Sequence, residues 1–257
     1  MDNLKGKNAV ITGASRGIGK AVALRLAESG VNLALAARTK DTLDEAVREV
    51  TLKYKVKVIG VPTDVSRFED LQRLANAAFR EFKHIDILVN NAGVSSQYPF
   101  EQQPFEDIER LVHTNFLGYV RLIRLIIPQM IERRQGSIIN MVSGSTLVDP
   151  IPRTFLTYSA LKVGLRAFLK GLFWEMRDYG IKVTSILPGV VDSDLTDHLK
   201  NITQEQKERL MSAETVADMV MFALSIPANA CPLELAVINQ QTPWTKPVID
   251  YEQKQAR

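Results

Sequence analysis

The chain has few of the residues that mark disulfide-bonded or metal-binding proteins. It contains one cysteine, Cys231, so an internal disulfide is excluded and a reducing compartment such as the cytoplasm is expected. Its three histidines, His84, His113 and His198, do not show metal-ligand spacing, and none lies beside Cys231. We therefore predict no metal site.

Long apolar runs and blocks of one charge are also absent. The richest apolar stretch, 122–131, is interrupted by Arg124, Pro128 and Gln129, whereas a membrane span needs roughly 18 to 20 apolar residues. The N-terminus lacks the basic and apolar segments of a signal peptide. The net charge is only +3, without a block of five or more Lys and Arg, which argues against nucleic acid as a partner. We predict a cytoplasmic protein without a membrane span.

Short apolar segments alternate with longer amphipathic ones along the whole chain. The short ones are typical of buried strands and cover 9–12, 32–37, 57–61, 86–90, 137–142, 182–187 and 235–238. The helical patterns cover 17–29, 40–53, 67–82, 104–134, 155–179 and 214–225. This alternation predicts the α/β class: one doubly wound domain over 1–257, with a seven-stranded parallel sheet and helices on both faces.

Two polar segments do not fit this alternation. Residues 192–213 follow a strand end and are equally compatible with a substrate lid and a solvated connector. Residues 240–257 contain Pro243 and Pro247 among many polar groups, which predicts a loose tail.

The first predicted strand runs directly into a glycine-rich turn, TGASRGIG at 12–19. Glycines let the backbone turn sharply and approach a pyrophosphate, and the following helix offers its N–H groups and the positive end of its dipole. A glycine turn alone is weak evidence, but its place between a strand and a helix predicts dinucleotide binding. The candidate cofactor residues here are Gly13, Ser15, Arg16, Gly17, Ile18 and Gly19.

Further motifs follow in a familiar order: NNAG at 90–93, Asn115 in HTNFLG, YSALK at 158–162 and PG at 188–189. Together with the glycine turn they resemble the short-chain dehydrogenase/reductase family, from about residue 5 to 240. Among its members the chain resembles 3-oxoacyl-[acyl-carrier-protein] reductases and related NADPH carbonyl reductases. The resemblance implies a Rossmann fold and hydride transfer between a nicotinamide cofactor and a small carbonyl substrate.

Tyr158 and Lys162 stand four residues apart in a helical pattern and therefore share a face. A tyrosine with its ordinary pKa of about 10 is a poor base at neutral pH. A nearby lysine ammonium favours the phenolate, so we expect Lys162 to lower the pKa of Tyr158. The resemblance implies that both residues are catalytic and that Lys162 also binds the nicotinamide ribose.

The family also uses a serine hydroxyl to hold the substrate oxygen, and here two serines compete. The family's usual spacing to the tyrosine selects Ser145, whereas counting forward from the preceding strand selects Ser143. We favour Ser143, because strand ends are held more rigidly than loops. The resemblance further implies that Asn115 holds a water in a proton relay.

The remaining cofactor contacts come from the same resemblance. It implies that Asp64 and Val65 contact the adenine and that other strand ends line the cofactor, at Asn91, Ala92, Gly93, Pro188, Gly189, Val191 and Ser193. NAD sites carry an acidic residue after the second strand, but here that strand ends at Arg38. Arg38 and Arg16 are suited to clamp a 2′-phosphate, which predicts NADP(H).

We therefore predict an NADPH-dependent reductase of a ketone or 3-oxoacyl-type substrate, with Tyr158 as general acid. The C-terminal segment 233–239 lacks the Gly-Gly usual in 3-oxoacyl reductases, so 3-hydroxy acids, pterins and 3-ketosphinganine stay open as substrate classes. The alternative from another class is a non-catalytic NADPH-binding sensor or scaffold. Surplus apolar residues in 104–134 and 155–179 predict a homodimer or homotetramer, unless they fill the protein's own core.

Overall fold

The computed structural model describes residues 4–149, 151, 153–193 and 203–243. The segment predicted as a lid or connector, 192–213, and the predicted tail, 240–257, therefore lie partly outside the described residues. Within those residues, no helix is long and apolar enough to cross a membrane.

A single parallel sheet forms the centre of the described structure, in the order β3-β2-β1-β4-β5-β6-β7. Its strands are β1 (Asn8–Thr12), β2 (Asn32–Ala37), β3 (Val58–Pro62), β4 (Ile87–Asn90), β5 (Gly136–Met141), β6 (Ile181–Pro188) and β7 (Glu234–Val237). The strand order reverses between β1 and β4. This is the point where open α/β sheets leave a crevice at the carboxyl ends of the strands. The predicted doubly wound α/β fold is confirmed.

Helices cover both faces of the sheet. They are α1 (Gly17–Glu28), α2 (Lys40–Lys53), α3 (Phe68–Phe82), α4 (Phe105–Val112), α5 (Gly118–Arg133), α6 (Leu156–Met176), α7 (Gln204–Glu208) and α8 (Ala213–Ser225). The apolar pattern does not predict α7, which spans little more than one turn and begins with a capping box between Thr203 and Gln206.

Two hydrophobic clusters, one on each side of the sheet, form the core. One includes Leu26 of α1 and Val220 of α8, and the other includes Leu74 of α3 and Leu122 of α5. Successive residues of a strand contribute to opposite clusters, as Val10 and Ile11 do in β1. This explains why the strands are almost continuously apolar rather than alternating.

The predicted helical stretch 104–134 is helical from Phe105 to Arg133 but is not one uniform α-helix. Between α4 and α5 lies a π-helical stretch, His113–Leu117. Gly118 follows it, and a Cβ there would lie 2.8 Å from the Val65 carbonyl oxygen, so the backbone passes close to the chain that follows β3. The irregular stretch contains Asn115, and π-helical turns are frequent at functional sites.

Candidate active site

A cleft of about 520 Å³ opens at the carboxyl ends of the strands, next to the reversal between β1 and β4. Its size is typical of small-molecule and cofactor sites. With the exception of Gly19, all the catalytic and cofactor residues predicted from the sequence line it. The structure therefore brings together side chains that are spread from Gly13 to Ser193 along the chain.

The glycine turn allows backbone to lie against backbone at the floor of the cleft. A Cβ on Gly19 would lie 2.1 Å from the Gly13 carbonyl oxygen, which explains why Gly19 lies behind the cleft surface. Gly13 has a φ of +66°, a conformation that glycine adopts at no steric cost. The turn leads into the N-terminus of α1 at Gly17, whose free N–H groups favour an anion. These features fit the pyrophosphate of a dinucleotide.

Short side chains join the glycine turn to the end of β4. The Thr12 hydroxyl accepts hydrogen bonds from the backbone N–H groups of Asn91 at 3.0 Å and Ala92 at 3.1 Å. In return, the Asn91 amide donates to the carbonyls of Thr12 at 3.0 Å and Gly13 at 3.2 Å. Thr12 does not line the cleft, yet it holds two cleft-lining segments together. Its place directly before the first glycine is the one sequence signal for this role.

The buried side chain of Asn115 is paired with the backbone of Val94. Its Oδ1 accepts from the Val94 N–H at 3.2 Å, and its Nδ2 donates to the Val94 carbonyl at 2.8 Å. A Cβ on Gly93 would lie 3.1 Å from that Oδ1, so Gly93 lets the loop pass close to Asn115. Asn115 therefore holds the cleft-lining loop that follows β4.

The two candidate serines have different surroundings. Ser143 lies two residues after the end of β5, lines the cleft and is near enough to Tyr158 for its side chain to lower the pKa of the phenol. The Ser143 Oγ also accepts from the Ser145 N–H at 3.1 Å, which begins the 3₁₀ turn Gly144–Leu147. The Ser145 Oγ is buried and has no hydrogen-bond partner among the described residues. Of the two, Ser143 is the serine that adjoins Tyr158.

Tyr158 and Lys162 lie side by side on α6 and are almost fully buried. The Lys162 ammonium donates to the Met141 carbonyl at 2.9 Å, and its Nζ lies 5.9 Å from the centre of the Tyr158 ring. Tyr119, which the sequence does not suggest, donates to the same carbonyl at 3.1 Å, and its ring centre lies 4.9 Å from the Lys162 Nζ.

The pKa of Tyr158 corrects one expectation. Burial raises the pKa of the phenol above its ordinary value, although the Ser143 side chain acts in the opposite direction. The predicted lowering of this pKa is therefore wrong for this structure, because desolvation of the phenolate outweighs the effect of Ser143. Burial also lowers the pKa of Lys162, to about 7. Both effects favour the neutral forms of the two groups.

The outer rim of the cleft is basic and hydroxylated. Arg16 and Arg38 are exposed there, and Thr39 and Thr42 at the start of α2 line the same region. The two threonines are absent from the sequence prediction, although they follow Arg38 closely in the chain. At the end of β3, Asp64 also lines the cleft, where its Oδ1 accepts hydrogen bonds from the Ser66 N–H and hydroxyl.

The chain after β6 closes the inner end of the cleft. Pro188, Gly189, Val191 and Ser193 line it there, as predicted. Asn239, which the sequence does not single out, holds this segment by accepting from the Val190 N–H at 2.7 Å and donating to the Val190 carbonyl at 2.8 Å. Across the part of the chain that the structure describes, no group of His, Cys, Asp and Glu side chains is arranged to hold a metal ion.

Proteins of known sequence and structure resemble this chain over nearly its whole length. The family model described as short chain dehydrogenase matches residues 7–206. An uncharacterized oxidoreductase of Staphylococcus epidermidis is 31% identical over 92% of this chain and 99% of that protein. Another uncharacterized oxidoreductase, from Staphylococcus aureus, is 32% identical over the same shares.

Two solved structures resemble this chain both in fold and in sequence. L-sorbose reductase from Gluconobacter frateurii, complexed with NADPH and L-sorbose, is 30% identical with a TM-score of 0.84, over 93% of this chain and 98% of that one. An alcohol dehydrogenase from the archaeon Thermococcus sibiricus, complexed with 5-hydroxy-NADP, is 26% identical with a TM-score of 0.83, over 95% and 99%. This chain therefore belongs to the short-chain dehydrogenase family and is an oxidoreductase.

Proposed function

We propose that the protein reduces a carbonyl compound to an alcohol with NADPH. The observation that carries this proposal is the cluster of the partly exposed Ser143 with the buried Tyr158 and Lys162, in a cleft whose floor suits a dinucleotide. When bound, the cofactor supplies the hydride. The protein's own residues must then hold the carbonyl, deliver a proton and exclude water.

Tyr158 is suited to be the proton donor in this direction. Because burial raises the pKa of its phenol, the group is protonated at neutral pH and can give its proton to the oxygen of the forming alcohol. The Ser143 hydroxyl, which adjoins Tyr158, polarises the same oxygen. Lys162 holds the cofactor's ribose and supports the supply of protons to Tyr158. Asn115 supports the proton relay by fixing the loop at Val94.

NADP(H) is the proposed cofactor. Arg16 and Arg38, with the hydroxyls of Thr39 and Thr42, surround the rim where a ribose 2′-phosphate would lie. L-sorbose reductase and the archaeal alcohol dehydrogenase were solved with NADPH and with 5-hydroxy-NADP, which supports NADP(H) as the cofactor. Reduction is the proposed physiological direction, in the cytoplasm, where NADPH is kept reduced.

The proposed substrates are ketones and 3-oxoacyl compounds. A dehydrogenase of 3-hydroxy acids and a reductase of pterins or of 3-ketosphinganine are the alternative activities that a substrate panel separates. Such a panel, assayed by NADPH oxidation, includes L-sorbose because of the related reductase.

Removal of the Tyr158 hydroxyl tests its proposed role as general acid. Tyr158→Phe keeps the ring and removes the proton donor, so we expect turnover to fall at least about a hundredfold while NADPH affinity stays nearly unchanged. Tyr179→Phe, an exposed tyrosine beyond the end of α6, is the matched control. If Tyr158→Phe keeps more than about a tenth of the parent rate, the general-acid role is wrong. If the parent binds NADPH but reduces no carbonyl, the sensor or scaffold alternative is favoured.

We also propose a homodimer or homotetramer, although fewer apolar residues of α6 are exposed than the sequence suggests. Leu165 and Leu169 belong to the core, and Phe168, Leu172 and Phe173 pack against it. Val163 and Trp174 of α6 are exposed, at 44% and 57%. We expect an interface there, which light scattering after size exclusion tests. A single species near the 28.8 kDa chain mass contradicts it.

A further inference from the structure

The loop that follows Ser143 is held by a side chain outside every motif in the sequence. Arg166 of α6 binds both this loop and the edge strand β7. We propose that Arg166, braced by Glu234, is a positioning residue that sets the place of the Ser143 hydroxyl relative to Tyr158. The inference rests on the proposed function, because it assumes that Ser143 acts on the substrate.

The 3₁₀ turn Gly144–Leu147 connects Ser143 to Arg166. The Ser143 carbonyl accepts from the Thr146 hydroxyl at 2.8 Å and from the Thr146 N–H at 3.2 Å. The Thr146 carbonyl in turn accepts from a terminal guanidinium nitrogen of Arg166 at 3.3 Å. The position of Ser143 therefore depends, through a single peptide turn, on where the guanidinium lies.

Arg166 belongs to the same helix as the catalytic pair. It follows Lys162 by one helical turn, so α6 carries Tyr158, Lys162 and Arg166 on one rigid element. A contact from Arg166 to the serine turn therefore relates Ser143 directly to the helix that presents Tyr158. Side chains that act together in catalysis need placement to within about 0.5 Å.

Glu234 keeps the guanidinium in place. Its two carboxylate oxygens accept from the Arg166 Nε at 2.6 Å and from a terminal nitrogen at 2.7 Å. Such a two-point pair fixes the plane of the guanidinium as well as its distance. These hydrogen bonds lower the pKa of Glu234, and both side chains are about four-fifths buried. Lys170 also contacts Glu234, at 3.2 Å.

The turn is also packed against the ends of β6 and β7. A Cβ on Gly144 would lie 2.8 Å from the Ile238 Cδ1 and 3.0 Å from the Pro188 carbonyl oxygen. These contacts hold Gly144 by close packing, whereas Arg166 holds the Thr146 carbonyl by a hydrogen bond. Loss of Arg166 removes that hydrogen bond and lets Ser143 move relative to Tyr158.

Lys170 provides a matched control for the experiment. Lys170→Met removes a cation from Glu234 as Arg166→Met does, but no contact joins Lys170 to the Thr146 carbonyl among the described residues. We expect Arg166→Met to lower kcat at least about tenfold, since small misplacements of reacting groups carry large rate penalties. We expect Lys170→Met to change kcat by less than about twofold, as is usual for a half-exposed ion pair. NADPH affinity, measured by fluorescence, should be unchanged in both variants.

A double-mutant cycle with Ser143→Ala distinguishes positioning from general support of the fold. If Arg166 acts through Ser143, Arg166→Met should change kcat by less than about twofold once the hydroxyl is absent. A tenfold loss in both backgrounds overturns the proposal, and so does an equal effect of Lys170→Met. If Ser143→Ala itself leaves kcat unchanged, the failure lies with the proposed role of Ser143, and this inference fails with it.

Two milder variants guard against misfolding of Arg166→Met. Glu234→Gln keeps the shape of the carboxylate but weakens the brace, and Arg166→Lys keeps the charge without the two-point geometry. Both should lower kcat between about twofold and tenfold, with melting temperatures within about 4 °C of the parent, roughly the shift that 1 kcal/mol produces in a chain of this size. A parent-like kcat in both variants overturns the proposal.

Discussion

The two halves of the cleft are built in different ways. In the half proposed to hold the cofactor's pyrophosphate (the cofactor half), at the ends of β1 and β4, backbone lies against backbone, and the joining side chains are short, as in the Thr12–Asn91 pair. In the half proposed to hold the substrate and the nicotinamide end of the cofactor (the substrate half), at the ends of β5 to β7, side chains join segments that are far apart in sequence, as Arg166 and Asn239 do. A pyrophosphate requires close backbone approach and therefore glycine, whereas a serine hydroxyl can be held by many side-chain combinations.

The largest expected effect lies in the substrate half and compares its two serines. Ser143→Ala should lower kcat about a hundredfold or more, because an aligned donor to the developing oxyanion contributes roughly 2.7 to 4 kcal/mol. Ser145→Ala should change kcat far less, since its Oγ has no partner among the described residues. Steady-state kinetics of both variants with one ketone decide the matter. The reverse order of effects would assign the role to Ser145.

The next effect lies in the cofactor half and concerns charge at its rim. Arg38→Asp should reverse or abolish a preference for NADPH over NADH, with a change of at least about tenfold in the affinity ratio, because each charge-assisted contact contributes roughly 1.5 to 3 kcal/mol. Arg48→Asp, an exposed change of equal charge on α2 that does not border the cleft, is the control. Fluorescence titration with both cofactors measures the ratio. Equal affinities in the parent would contradict the NADP(H) proposal.

The smallest effect concerns Lys162, which lies deep in the cleft. Its pKa falls from 10.5 to about 7 on folding, so between these pH values the unfolded chain binds a proton that the folded protein does not. The free energy of unfolding should therefore rise with pH from about 7 upward, and this contribution should be absent in Lys162→Met. Urea unfolding of both proteins between about pH 7 and 9 measures the difference, below the range in which tyrosines titrate. A parallel pH dependence in the two proteins would show that the ammonium is not desolvated.

The difference between the halves also explains which site residues can be predicted from sequence. Glycine spacing places the turn of 13–19, and four-residue spacing places Tyr158 beside Lys162, because each requirement acts within a short stretch of chain. Tyr119 is missed because its hydroxyl contacts the Met141 carbonyl, a contact that no local pattern encodes. The π-helical stretch within 104–134 is missed because the close approach of Gly118 to the chain after β3, which accompanies it, arises only in the folded protein.

The sequence by itself determined the fold class and the location of the glycine turn, since apolar periodicity and glycine placement follow from local backbone requirements. The family followed from the resemblance of its motifs. The sequence left two serines as alternatives and predicted the wrong direction for the pKa of Tyr158. Tertiary structure decided which serine adjoins Tyr158 and which apolar residues of α6 enter the core. It also decided that burial raises the pKa of Tyr158. These outcomes depend on desolvation and on contacts between distant segments, which exist only once the sheet and helices have packed.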